Sequence, residues 1–369
     1  MPEQQTLDAQ YMQQALRLAR RGLGKTSPNP MVGAVIVKSG RIIARGYHRY
    51  FGGDHAEVDA LKNASEDVSG ATLYVTLEPC RHQGKTPPCT DAIIKAKIVR
   101  VFIGLLDPFP EMKGKSVALL KRHGIETVVG VLEKECRALN EVYLKYTTTG
   151  IPYVTVKFAQ TLDGRIATTQ GKSRWISSTE SLKLAHKLRA THDAILAGIG
   201  TVIKDDPELT TRLVRGKNPV RVILDSKLRI PLGARVLTGQ DKARTLVAAT
   251  PAAPQEKLTA LQKKGIEVLT VPPDAAGRVD LKVLLKTLAQ RQISSVLVEG
   301  GAETITSFLR LNLADKIIAI IAPRIMGRGI ETVGELNITD ISKAYNLSFT
   351  RVYRSGLDIV VEGSFSRLP

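Results

Sequence analysis

The sequence predicts an α/β protein of two domains, and three observations carry that expectation. Short apolar, strand-like runs alternate with helical patterns along both halves of the chain. The stretch TTTGIP (147–152) interrupts the pattern and places a boundary between residues 1–148 and 149–369. With 369 residues, 43% hydrophobic and 24% charged, the chain is long enough for more than one core and has an ordinary globular balance.

The elements follow in order. Residues 7–21 are expected to be helical, with Tyr11, Ala15, Leu18 and Ala19 on one face and Gly22 as the stop. MVGAVIVK (31–38) and RIIARGY (41–47) flank Ser39-Gly40, a hairpin signal. A helix over 54–64 precedes a strand at 72–77 and a loop rich in Pro and Gly. A helix near 89–97, a strand at 99–106, a helix at 114–123, the strand IETVVG and a closing helix at 131–146 complete the first half. The second half offers strands at 153–159, 193–198, 220–225, 245–250, 266–271, 295–300, 316–323 and 358–363, with a helix near 178–190. The Pro/Ala-rich segment 251–257 is expected to be a loop.

Composition excludes several classes. No apolar run is long enough for a membrane helix, and the polar start MPEQQTLDAQ lacks a signal-peptide pattern, so a cytoplasmic protein without a membrane partner is expected. Three cysteines do not make a disulfide framework, and a clustered pair favours metal binding or catalysis. The net charge of +18 raises nucleic-acid binding. The excess divides as +6 in residues 1–150 and +12 in the rest, with no Lys/Arg run longer than two. A dispersed excess suits anionic small molecules, and no nucleic-acid partner is expected.

The strongest chemical signal is His55-Ala-Glu57, followed by Glu78-Pro79-Cys80 and Cys89. One imidazole and two thiolates suit catalytic zinc, with a fourth position left for water. Glu57 sits two residues from His55, in the first turn of the same expected helix. From there it can reach that water without ligating the metal, as the proton carrier of a deaminase must. His55 and Cys89 each begin an expected helix, where the N-terminal field favours thiolate. Eight residues separate Cys80 from Cys89, where a shorter deaminase signature has two. The bland alternative is a helix-end histidine and two buried thiols. Cys136 has no motif partner and is expected in the core.

In the second half, Gly198-Ile-Gly200 lacks the third glycine of a dinucleotide fingerprint and is equally a turn. Val298-Glu299-Gly300-Gly301 is stronger: a short strand runs into two glycines and a helix start, where backbone amides can meet phosphate. Lys157 is open between a strand-end surface charge and a site cation.

Thr76-Leu-Glu-Pro-Cys80, Thr86-Pro-Pro-Cys89 and Ser27-Pro-Asn-Pro-Met-Val-Gly33 resemble the deaminase half of the bifunctional riboflavin-biosynthesis deaminase/reductase family. Lys157 to Ala167, Ser173 to Ser177, Ala197 to Thr201, Asp205 to Arg212 and Val298 to Gly301 resemble, in order, its reductase half. The resemblance implies a cytidine-deaminase-like α/β/α domain followed by a dihydrofolate-reductase-like α/β domain. It implies Zn2+ on His55, Cys80 and Cys89, with Glu57 catalytic, and Asn29 and His82 against the pyrimidine. It implies NADPH lined by Ala159, Trp175, Thr201, Asp205 and Ser226. The turn from Gly300 and Gly301 through Ala302, Glu303, Thr304, Ile305, Thr306 and Ser307 would lie under its phosphates. Ser173, Arg189, Leu209, Arg212 and Glu299 would hold the substrate. The implied reactions are hydrolytic deamination of a phosphorylated diaminopyrimidine and NADPH reduction of its ribosyl group. A homo-oligomer is expected, with a small phosphorylated pyrimidine as substrate and Asp205 as one candidate proton donor for the reduction.

Overall fold

The apolar runs of the first 150 residues pair into one five-stranded sheet. The structure, a computed structural model, describes residues 2–83, 87–109 and 112–365. It divides into two units, Met1–Gly150 and Ile151–Pro369. In the first unit the order is α1 (Pro2–Ala19), β1 (Gly33–Lys38), β2 (Arg41–Tyr47), α2 (Ala56–Lys62) and β3 (Thr72–Val75). Then come α3 (Cys89–Lys95), β4 (Arg100–Ile103), α4 (Lys115–Arg122), β5 (Glu126–Val129), α5 (Glu133–Leu139) and α6 (Glu141–Thr149).

The strands lie in the order β2-β1-β3-β4-β5. Ser39 and Gly40, both at positive φ (50° and 74°), turn the β1–β2 hairpin. β1 is antiparallel to β3, and β3, β4 and β5 run parallel. Period-two alternation sends Ile36, Leu73 and Ile103 to a core with Ala60 of α2, Ile93 of α3 and Leu120 of α4. Val35, Tyr74 and Phe102 face the other way, onto Met12 and Leu16 of α1 and Cys136 of α5. The result is a three-layer α/β/α unit.

Two glycines bring helices close to the sheet. A Cβ on Gly33 would stand 2.0 Å from the Ala15 carbonyl oxygen, and one on Gly46 would stand 2.2 Å from the Ala60 nitrogen. The first lets α1 seat on β1, and the second lets α2 seat on β2.

The second unit contains β6 (Tyr153–Thr161), β7 (Arg165–Ala167), α7 (Thr179–Thr191), β8 (Ala194–Gly198), α8 (Ile199–Asp205), β9 (Val220–Leu224) and β10 (Thr245–Ala249). It continues with α9 (Gln255–Lys263), β11 (Glu267–Thr270), α10 (Leu281–Gln290), β12 (Ser295–Val298) and α11 (Ala302–Arg310). It ends with β13 (Lys316–Ala322), β14 (Ile330–Glu331), β15 (Leu347–Ser355) and β16 (Asp358–Phe365). Nine strands form a sheet in the order β11-β10-β9-β8-β12-β6-β13-β16-β15, and β7 pairs with β14. From β11 to β13 the strands are parallel, and β16 and β15 add antiparallel. The chain steps outward from β8 to β11, then returns to insert β12 between β8 and β6. A crevice opens at such a reversal, beyond the carboxyl ends of the strands.

Three expectations are corrected. The first helix spans Pro2–Ala19 and tightens into a 3-10 turn at Arg20–Gly22, so it starts before residue 7. The closing helix 131–146 is two helices broken at Asn140. Asn140 Oδ1 accepts from the Met31 amide at 2.8 Å and its Nδ2 donates to the Met31 carbonyl at 3.0 Å, a long-range bond that fixes a non-helical backbone there. The segment 251–257 is a loop only as far as Pro254; α9 begins at Gln255 with Pro254 as its N-cap. Among the described residues no helix is long and apolar enough to cross a membrane.

Candidate functional site

His55 is the N-cap of α2, so its extended backbone (φ −71°, ψ 160°) turns the ring out from the helix start. Cys80 follows β3 beyond its carboxyl end, and Cys89 is the first residue of α3. These three converge. His55 Nδ1 lies 3.2 Å from Cys89 Sγ and 3.4 Å from Cys80 Sγ, and all three donor atoms lie within 4.8 Å of one another. Typical Zn–N and Zn–S bonds give a tetrahedral N···S edge of about 3.5 Å and an S···S edge of about 3.8 Å. The donor set therefore fits one zinc ion. The backbone amide of Cys89 donates to Cys80 Sγ at 3.3 Å, and the Cys89 thiol donates to the same sulfur, which holds Cys80 down at about 4. Donating that proton, together with burial, pushes Cys89 up.

Glu57 is 3% exposed in the first turn of α2 and stands outside the three-ligand set. Burial, then the neighbouring Cys80 thiolate, pushes its carboxyl up to about 7. A carboxyl group poised there can hold and release a proton near neutral pH.

Sequence reasoning gave no role to two residues beside this cluster, His48, which no motif contained, and Glu78, which stood in the Glu78-Pro79-Cys80 motif. His48 is 2% exposed and its ring meets His55 edge-on, with centroids 5.5 Å apart. Its Nδ1 donates to the Asp54 carbonyl at 2.9 Å, and its Nε2 accepts from Asn29 Nδ2 at 3.2 Å, so the Asn29 amide is oriented by a neutral ring. Glu78 accepts three backbone amides, from Asp107 (3.2 Å), Gly114 (2.9 Å) and Ser116 (3.0 Å). It anchors the loops behind Cys80. His82 is exposed, with Nδ1 3.3 Å from Met112 Sδ. Thr86 of the TPPC element lies outside the described residues.

The second unit holds a cleft of about 1130 Å³ at the carboxyl ends of β8, β9 and β12. Ala159, Ser173, Trp175, Thr201, Asp205 and Ser226 line it, as do Glu299, Gly300 and Gly301. Trp175 is 64% exposed, so it faces the cleft instead of packing in a core. The N-cap of α11 is Gly301, whose side offers no capping bond, so the first amides of that helix remain for an anion. A Cβ at Gly200 would meet nothing within 4 Å, and one at Gly301 only Thr201 Oγ1 at 3.7 Å. The floor is open to a phosphate chain. Lys227, Arg229, Arg278 and Lys282 line the end beyond Ser226. A bare-floored cleft with helix-start amides and this basic rim fits NADPH.

The α11 turn divides. Ala302, Glu303, Thr304 and Ser307 line the cleft. Ile305 is 0% exposed in the core, and Thr306 Oγ1 donates to the Ala302 carbonyl and accepts the Gly334 amide. Their side chains face the core because α11 buries that side of the helix, so these two could meet a cofactor only through the backbone of the turn.

Arg189 engages two partners. Its Nε and Nη2 grip Glu299 in a fork at 2.9 and 2.8 Å, and its Nη1 donates to the Thr210 carbonyl. Lys157 Nζ lies 3.8 Å from the same carboxylate, with side chains 13% and 10% exposed, and Lys157 lines the cleft. It is a site cation. Burial lowers Lys157, while the two cations hold Glu299 down at about 2 against its own burial. Leu209 packs its side chain into the core at φ 53°. Arg212 pairs with Glu208 at 2.6 Å.

Comparison with known proteins follows this division. A family profile described as RibD C-terminal domain matches residues 152–361. Another, described as cytidine and deoxycytidylate deaminase zinc-binding region, matches residues 5–105. The riboflavin biosynthesis protein RibD of Aquifex aeolicus (strain VF5) is 49% identical over 356 residues, covering 96% of this chain and 98% of that relative. The protein of the same name from Escherichia coli (strain K12) is 38% identical, covering 95% and 98%. A solved Thermotoga maritima diaminohydroxyphosphoribosylaminopyrimidine deaminase/5-amino-6-(5-phosphoribosylamino)uracil reductase superposes with a TM-score of 0.85 at 40% identity, covering 98% of this chain and 99% of that one. RibD of Acinetobacter baumannii gives a TM-score of 0.87 at 38% identity, covering 98% and 100%. The first unit is thus cytidine-deaminase-like and the second dihydrofolate-reductase-like. Matched over nearly its whole length by proteins that carry both halves in this order, the chain belongs to the RibD family of bifunctional riboflavin-biosynthesis enzymes.

Proposed function

We propose that the first unit hydrolyses the 2-amino group of 2,5-diamino-6-ribosylamino-4(3H)-pyrimidinone 5′-phosphate, and that the second reduces the ribosyl group of the aminouracil product to ribityl. The observation that carries the first step is the convergence of His55 Nδ1 on two sulfurs at 3.2 and 3.4 Å, with Glu57 buried beside them and outside the ligand set. When bound, zinc makes a nucleophile of water near neutral pH and NADPH supplies a hydride. His55, Cys80 and Cys89 would hold the metal. Glu57 takes a proton from the attacking water and delivers it to the departing ammonia. Asn29, set by His48, faces the pyrimidine, and His82 is assigned as a second contact to it.

In the second unit the amides at the start of α11 bind the cofactor's phosphates, and Trp175, Thr201 and Ser226 border its length. Ser173, Glu299 and the 208–213 loop, through Arg212 and the backbone at Leu209, hold the substrate. Reduction at C1′ releases the ring oxygen O4′, which needs a proton. Lys157 Nζ is the donor we assign, in preference to Asp205, because it is the desolvated cation on the cleft wall at Glu299.

A coupled assay tests both steps. Ammonia release and NADPH absorbance are followed with the phosphorylated diaminopyrimidine, and separately with the deaminated product. Cys80→Ala is expected to abolish ammonia release while sparing NADPH oxidation on the deaminated product. Deamination that survives stoichiometric loss of zinc overturns the metal assignment.

A further inference from the structure

Loop 206–213 passes through left-handed backbone at Asp206 (φ 38°) and Leu209 (φ 53°). Side chains other than glycine hold that conformation only where their surroundings fix it. The fixing groups come from below. Arg221 of β9, 2% exposed, donates Nη1 to the Glu208 carbonyl at 3.3 Å. Arg189 of α7 donates to the Thr210 carbonyl at 3.1 Å. Asn218 Oδ1 accepts the Thr211 amide at 2.7 Å. The fourth group is His186, one turn before Arg189 on α7 and 5% exposed. Its Nδ1 accepts the Arg212 amide at 2.9 Å, and the Leu213 amide points at the same nitrogen from 3.5 Å.

We infer that His186 is a positioning residue of the reductase site: by accepting the Arg212 amide through a bare Nδ1, it sets the pose in which the loop offers Arg212 and the backbone at Leu209 to the substrate. This rests on the reading of that loop as part of the substrate site. The bond works only with the Nδ1 proton absent, because a protonated Nδ1 would face an N–H donor with nothing to accept. The charges that face the ring are Arg189 of its own helix, Arg212 of the loop, Lys157 of β6 and Glu299 past β12. Burial and three cations against one anion keep it neutral. Arg189 and His186 thus divide the work along one face of α7, holding the loop at Thr210 and at Arg212.

The test compares four variants of the whole chain, using the deaminated substrate at saturating NADPH. His186→Leu removes the acceptor, His186→Asn keeps an acceptor at the Nδ1 position, His186→Gln moves it outward, and Arg212→Gln probes the loop. An amide left unpaired in this loop predicts a KM raised about tenfold in His186→Leu, with kcat at saturation within about twofold. His186→Asn should return KM to near the parent value, and NADPH binding, followed by fluorescence, should be unchanged in all His186 variants. Should His186→Leu fail to fold, the Asn and Gln pair carries the comparison, with Asn near the parent and Gln raised. A parental KM in His186→Leu, or equal defects in Asn and Gln, overturns the inference when Arg212→Gln raises KM. A parental KM in Arg212→Gln removes the reading of the loop itself, and the inference with it.

Discussion

Gly46→Ala is expected to disable the deaminase without touching the reductase. Gly46 lies in β2 directly under α2, and an added Cβ would stand 2.2 Å from the Ala60 nitrogen and 2.4 Å from the Ala56 carbonyl oxygen. Ordinary contact begins near 3.4 Å, so α2 must retreat by about 1 Å. Backbone atoms stand in the way, not a flexible side-chain end, so the whole helix has to move. His55 caps that helix and Glu57 occupies its first turn, and both travel with it. Metal–ligand distances tolerate about 0.2 Å, and a 1 Å misplacement of reacting groups costs about 100-fold in rate. The expected outcome is zinc-depleted protein, ammonia release reduced by about 100-fold or more, and a first unit destabilised by about 1–3 kcal/mol. NADPH oxidation on the deaminated substrate should stay at the parental rate. Metal analysis and the two separate rates decide the matter. An alanine variant with full zinc and ammonia release within about twofold of the parent refutes the claim that α2 cannot give way.

Three further predictions follow from named groups. Glu57→Gln should lose about 100- to 10,000-fold in ammonia release while keeping zinc and its thermal unfolding profile, measured side by side. Glu299→Ala leaves Arg189 and Lys157 as desolvated cations without their carboxylate, and should destabilise the second unit by about 3–5 kcal/mol in urea unfolding; a change below about 1 kcal/mol contradicts the pairing. Acid should also weaken the second unit through His186, whose folded value lies at about 4 against 6.5 when free. Above pH 6.5 both states are neutral there and nothing changes. As pH falls from 6.5 toward 4 the unfolded chain takes up a proton that the folded one refuses, so stability falls. His186→Asn should flatten that part of the stability-versus-pH curve, and an identical slope in parent and variant contradicts it.

The metal cluster was legible because its chemistry is written in residue types and spacing: one imidazole, two thiols and an acid two residues along. The parallel strands were legible as apolar runs, and Ser39-Gly40 as a turn. What escaped was set by distant contacts. Asn140 breaks a helix for the sake of Met31, 109 residues away. Arg189 carries the pattern of a late-helix surface charge, yet its partner Glu299 is 110 residues further on. Lys157 stayed open at first because a strand's period says which face a side chain takes, not whether that face becomes a cleft wall. β15 went unseen because its exposed sequence LSFTRVYRS lacks the apolar run of its neighbours. That the side chains of Ile305 and Thr306 turn inward was also hidden, because a linear motif does not say where a helix face rotates into the core.

The unequal burial of the three cysteines gives the chain a chemical meter of its own loading. Cys136 is sealed against Gly104, with burial pushing its thiol up to about 12, and Cys89 is likewise sealed. Only Cys80 combines partial access with thiolate character. An alkylating reagent applied to native protein therefore has one thiol to mark, and that thiol is shielded once metal occupies it. The mass-spectrometric fraction carrying a single adduct then reads the share of molecules without their ion.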